Sequence, residues 1–122
     1  DTEYADALER WLDGIKPVKI VIDPSAASFI AELKKRGHAI KKAKNDVLDG
    51  IRFVASLLNQ GKIAISDQCP NTIKEFGSYI WDQKASERGE DKPVKQHDHA
   101  MDALRYFCYT IIRKPGSIGI LK

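Results

Sequence analysis

Cysteine is scarce in this 122-residue sequence, and the two present, Cys69 and Cys108, form neither a CxxC pair nor a spaced framework. That argues against a disulfide scaffold and fits reduced thiols in a cytoplasm. Long apolar runs are missing too. Nothing approaches the roughly 20 residues that a membrane helix needs, and the first residues carry no leader pattern. Charge of one sign is lacking: the net charge is only +3, so overall balance does not argue for a nucleic-acid partner. The phosphate-binding patterns GxxxxGK[ST] and GxGxxG are absent, as is a GxSxG nucleophile context, so no nucleotide site or serine hydrolase is visible. There are no repeats and no low-complexity tracts.

What remains is a chain that is 43% hydrophobic and 30% charged, the balance of a globular domain with one core. Strands and helices alternate along it. Residues 3–13 predict a helix with Tyr4, Leu8, Trp11 and Leu12 on one side and Gly14 as its stop. Val18 to Ile22 is a β-branched run that fits a strand buried on both faces. Ser25 to Arg36 predicts a helix with Phe29, Ile30 and Leu33 inward and Gly37 just past its end. His38 to Lys42 predicts a weaker strand. Asn45 caps a long helix to about Gln60, with Val47, Leu48, Ile51, Val54 and Leu58 at helical spacing. Ile63 to Ser66 predicts a short third strand. Asn71 starts a helix with Ile73, Phe76 and Ile80 inward. The last helix runs from Asp98 to about Arg113 on a stripe of Met101, Leu104, Phe107, Cys108 and Ile111. The polar stretch 84–95, KASERGEDKPVK, has no evident core residue and predicts a mobile loop within a single domain spanning 1–122. The order of elements predicts an α/β layer architecture.

The richest chemistry lies in QHDHAMDALRY, residues 96–106. Asp98 and Asp102 stand four apart and His99 and Asp102 three apart, which puts all three on neighbouring positions of a helix surface. Like charges at that spacing are unfavourable, so a positive group is expected between them, and a divalent cation fits. Asp98 as a helix cap, Asp102 paired with Arg105 on a solvated face, and His99 as a surface residue are the plainer readings. Asp23 ends the strand KIVID, the end at which α/β sheets gather function. Followed by Pro24 it also reads as an ordinary helix cap. A strand-end carboxylate with helix carboxylates is a recurrent way to hold Mg²⁺ or Mn²⁺. Zinc on His97, His99, Cys69 and Cys108 matches no known ligand spacing, and Cys108 falls in the apolar stripe. Lys34, Lys35, Arg36, Lys41, Lys42 and Lys44 crowd one stretch with His38 among them. They form either a track for phosphates or a solvated edge that blocks aggregation. Glu75 and Tyr79 are either solvated or flank the site.

These residues together resemble the C-terminal nuclease domain of phage large terminase subunits. HDHAMDALRY is similar to that family's closing motif, and VKIVIDPSAASFIAELKKRG to its strand, acid and helix. KAKNDVLDGIRFVASLLNQGKIAIS, followed by Cys69, Glu75, Tyr79 and Trp81, is similar to its middle section. The likeness runs from about Val18 to Tyr106. It implies a ribonuclease H-like mixed sheet flanked by helices. The implied function is a metal-dependent DNA endonuclease that cuts concatemeric viral DNA during genome packaging in the host cytoplasm. By resemblance it would use two Mg²⁺ or Mn²⁺ ions, with Asp23, Asp102 and His99 as metal-binding and catalytic residues and Asp98 supporting them or capping the helix. The implied partners are double-stranded DNA, a small terminase subunit and a portal, with no membrane. The family's first acid stands on an opening strand that has no counterpart here, so the chain is expected to be an N-terminally truncated piece with little activity by itself. Its rivals are another ribonuclease H-like nuclease, such as a junction resolvase, and a non-catalytic DNA-binding or docking module. Because Asp102 is expected to lie away from the core, its loss is expected to leave the fold intact and to relieve repulsion with Asp98.

Overall fold

The structure is a computed structural model and describes residues 1–78, 87–89, 93 and 97–113. Two compact units can be distinguished along the chain, Asp1–Lys44 and Asn45–Lys122. Each has its own cluster of buried apolar side chains.

In the first unit, α1 (Thr2–Leu12) is followed by β1 (Ile20–Ile22), α2 (Ala27–Lys35) and β2 (Ile40–Lys42). The strands pair in parallel, with Ile20 opposite Ile40 and Ile22 opposite Lys42. A parallel pair needs a crossover between its strands, and α2 supplies it. Ala5, Ile22, Ile30 and Leu33 form the core, with Leu8, Ile20, Phe29 and Ile40 packed against it. Leu33 is fully buried, a contribution of about 1.5–3 kcal/mol. The inward face of α1 is centred on Ala5, not on the aromatics: Tyr4 is 71% and Trp11 80% exposed. A small side chain at the contact lets the helices approach closely, and the large rings are turned outward as a result. The helix α1 stops at Asp13, which adopts a left-handed conformation with φ 49°, and Gly14 continues it at φ 85°. Gly37, at φ 91°, ends α2 as expected; its N–H donates to the Lys34 carbonyl and that of His38 to the Leu33 carbonyl.

The second unit contains α3 (Val47–Asn59), α4 (Pro70–Ser78) and α5 (His99–Phe107), and α5 runs on into a π-helical segment, Cys108–Ile112. Val54, Leu57 and Cys108 are its core, joined by Phe53, Leu58, Ile63, Leu104 and Ile112. Residues 63–66 form no strand. Among the described residues the only ladder is β1–β2, and Ile63 packs against the helical core. No α4 residue is fully buried: Ile73 is 47% and Phe76 39% exposed. Phe107 is 48% exposed, and the buried positions of α5 are Met101 and Arg105. Within 84–95 only residues 87–89 and 93 are described, and Pro93 is buried, contrary to the expectation that the stretch holds no core residue. The rest of that predicted loop, together with Tyr79, Ile80 and Trp81, lies outside the described residues. No described helix is long and apolar enough to cross a membrane.

Candidate functional site

Asp23 stands directly after β1, half-buried. It is not the helix cap that Asp-Pro suggested. Its Oδ1 accepts the Ser25 N–H at 2.9 Å and its carbonyl accepts the Ala26 N–H at 3.0 Å. This Asx turn uses up the residues before α2, so the helix starts only at Ala27, with Ala26 in the cap position.

The acidic helix face is built differently from its sequence reading. Asp98 occupies the cap position of α5 but makes no side-chain cap bond. Its carbonyl accepts the Asp102 N–H at 2.8 Å, and the residue is buried. Glu75 of α4 does the capping: its Oε1 accepts the N–H groups of Ala100 at 2.9 Å and Met101 at 3.1 Å. A carboxylate on these orphan donors also complements the helix dipole. His97 precedes the helix at φ 50°, and His99 is exposed on its first turn.

Asp102 accepts a hydrogen bond from Arg105 Nη2 at 3.2 Å on Oδ1. The i,i+3 pair foreseen as solvated is in fact largely buried, with the side chains 3% and 20% exposed for Arg105 and Asp102 respectively. Arg105 Nη1 donates to Asn45 Oδ1 at 3.1 Å and to the Asp46 carbonyl at 3.4 Å. Asn45, expected to cap α3, therefore turns its side chain to Arg105, and Asp46 holds the cap position without a side-chain cap bond. The Arg105 stem crosses α3 at Gly50, where a Cβ would lie 2.7 Å from Cγ and 2.8 Å from Cδ. Removing the Asp102 carboxylate would leave a buried guanidinium short of this anion, which predicts a loss of stability where relief of repulsion alone predicted none or a gain.

The basic stretch also divides. Lys34, Lys35, Lys41, Lys42 and Lys44 are exposed. Arg36 is less exposed and pairs with Asp6 at 2.8 Å, Glu9 at 2.7 Å and Glu32 at 2.8 Å, a bolt between α1 and α2. His38 Nε2 lies 2.9 Å from Glu9 Oε2. Hydrogen bonds from His38 and then Arg36 hold the Glu9 carboxyl below its ordinary value. Cys69 is exposed and Cys108 buried, and burial pushes the Cys108 thiol up. Among the described residues, no group of three or more His, Cys, Asp or Glu side chains gathers to hold a metal ion.

Residues 1–109 match the family described as the terminase RNaseH-like domain. The chain belongs to that family. It is 33% identical over 115 residues to the terminase large subunit of Escherichia phage T5, covering 91% of this chain and 26% of that protein. It is 52% identical to the large terminase of the thermophilic bacteriophage D6E, solved in complex with ADP and with ATP-gamma-S. In each case the TM-score is 0.87, over 93% of this chain and 29% of that one. The chain thus spans little more than a quarter of the length of these relatives.

For this terminase RNaseH-like chain, the fold class and family implied by the sequence stand. Asp98, His99 and Asp102 share the opening of one helix, while Asp23 belongs to the other unit. The spacing named Arg105 as a partner of Asp102, and Glu75 was read as either solvated or flanking the site; neither Arg105's burial nor Glu75's bonds to α5 were foreseen. Gly50 was missed, although a glycine inside an otherwise well-formed helix costs about 1 kcal/mol and marks a close approach.

Proposed function

We propose that the protein carrying this chain is a divalent-metal-dependent endonuclease that cuts concatemeric phage DNA during genome packaging. The observation that supports this best is the family match across residues 1–109, which includes both Asp23 and the acidic face of α5. In this reading Asp23 and Asp102 hold metal, His99 is a further ligand or a proton carrier, and Asp98 supports them from its buried position. The donor set fits Mg²⁺ or Mn²⁺: carboxylates are hard anionic oxygen donors of the kind these cations select. When bound, two such ions supply activation of water and charge stabilisation at the leaving 3′ oxygen.

The chain's own residues do the rest. The carboxylate of Asp102 is oriented by Arg105, and the first turn of α5 is fixed by Glu75. Exposed Lys34, Lys35, Lys41, Lys42 and Lys44 contact the DNA backbone, so binding weakens with salt and carries little sequence preference. Arg36 is left out of that surface because it bolts α1 to α2. The partners are double-stranded DNA, a small terminase subunit and a portal, in the host cytoplasm.

One rival gains from the structure. If Asp102 exists only to neutralise the buried Arg105, the chain is a non-catalytic module of the packaging machine. Plasmid relaxation by the full-length protein in Mn²⁺ separates the two. Asp23→Asn and Asp102→Asn should each lower cutting at least ~100-fold while the protein stays folded, as expected for a two-metal site losing a ligand. Unchanged cutting by Asp102→Asn would favour the rival.

A further inference from the structure

We propose that Arg105 is a positioning residue that fixes the carboxylate of Asp102, and that Gly50 exists to let its side chain through. The proposal rests on the reading of Asp102 as a metal-holding carboxylate and names the device that orients it.

A 2%-exposed arginine needs an explanation. Burying a guanidinium is unfavourable unless it is paired and its donors are satisfied. Here the two terminal nitrogens of the fork are engaged separately, while the buried Nε meets no hydrogen-bond partner among the described residues. Nη2 faces Asp102 Oδ1. Nη1 faces the start of α3, through the Asn45 side chain and the Asp46 carbonyl. The planar, rigid geometry of the fork couples these two ends. The direction of the Asp102 carboxylate is thereby set by α3, a different element, and not only by the rotamer preference of an aspartate on the first turn of its own helix. A site that must place a cation against a phosphate needs its ligands held to within roughly 0.5 Å, and supporting hydrogen bonds supply that rigidity.

Gly50 is an independent mark of the same arrangement. It sits inside the 13-residue helix α3, where alanine is more favourable by about 1 kcal/mol. No turn or positive φ calls for it there. What requires it is the Arg105 stem, which lies where a Cβ would project. The helix gives up propensity at the one place where the arginine crosses it.

A purely structural bolt between α3 and α5 would use the same contacts, so the test reads something a bolt does not move. In the full-length protein, Mn²⁺ affinity is measured by electron paramagnetic resonance of free Mn²⁺. Alongside it are measured kcat and KM for DNA cutting, and the melting temperature. Arg105→Met keeps the length of the stem and removes the fork. Asn45→Ala removes one anchor while leaving the buried stem in place, and remains informative if Arg105→Met does not fold. Well below the melting temperature, Arg105→Met should weaken Mn²⁺ binding and lower kcat by ~10–100-fold, and Asn45→Ala by a smaller factor, the range seen when groups supporting a metal ligand are removed. KM for DNA should stay unchanged in both. If folded Arg105→Met and Asn45→Ala lower only the melting temperature and keep Mn²⁺ affinity and kcat within twofold while Asp102→Asn loses both, the positioning role is wrong and the metal reading survives. If Asp102→Asn itself keeps both, the metal reading fails and takes the positioning role with it.

Discussion

Arg105 sits in surroundings unusual for its residue type: a charged side chain almost wholly buried, crossing a neighbouring helix at its only glycine. Two predictions follow from those surroundings. Gly50→Ala would stabilise an ordinary helix, but here the added methyl meets Cγ and Cδ of Arg105, so overpacking should outweigh propensity and the variant should lose about 1–3 kcal/mol in urea unfolding. A gain in stability would mean that the stem yields freely. Asp102→Ala should also destabilise, by about 1–3 kcal/mol, because it removes a charged hydrogen-bond partner from a buried guanidinium. Asp102→Asn keeps an acceptor oxygen and should lose less. Equal stability of wild type and Asp102→Ala would show that water replaces the carboxylate. The spacing of Asp98, His99 and Asp102 was readable in the sequence because helical periodicity fixes which side chains are neighbours. The state of the Asp102–Arg105 pair was not readable, since i,i+3 spacing is the same whether a pair is solvated or buried. That difference comes from Gly50 and Asn45, 55 and 60 positions upstream.

The helices were readable as elements, but their faces less so. In α1 the aromatics suggested the buried side, yet Ala5 takes it. In α5 Phe107 was expected inward, yet Arg105 is buried and Phe107 is half-exposed. Apolar periodicity locates a stripe to within about one position, and the contact partner then selects the small residue or the buried ion pair. The bond between α4 and α5 is similar: Asp98 had the right sequence position for a cap, and Glu75 performs the role across space. Glu75→Ala should therefore cost about 1 kcal/mol and speed amide exchange at Ala100 and Met101; unchanged exchange there would deny the cap. The α1–α2 bolt predicts acid sensitivity. Glu9 is held below its ordinary value of 4.5 by His38 and Arg36. A lowered folded-state value means that the stabilisation is present above pH 4.5 and is lost as pH falls through the lower value. Circular-dichroism unfolding of Glu9→Gln between pH 3 and 6 should show a shallower fall in stability below about pH 4.5 than wild type. Parallel curves for the two would contradict the assignment.

At the level of the whole chain, the α/β class and the parallel pairing of β1 with β2 follow from the alternation of elements and the β-branched strand. The third strand was not found because a strand is defined by its neighbour, and residues 63–66 have no described neighbour to pair with. Each unit buries its own cluster of apolar side chains, which length and composition alone do not reveal. The family emerged from the ensemble of motifs, and its solved relatives from bacteriophage D6E are more than three times as long as this chain. The proposed function places divalent metal on the carboxylates of Asp23 and Asp102. Anomalous diffraction from Mn²⁺-soaked crystals of the full-length protein tests it directly. Anomalous peaks are expected about 2.1 Å from carboxylate oxygens of both Asp23 and Asp102. Saturating Mn²⁺ with no peak at either carboxylate would contradict it.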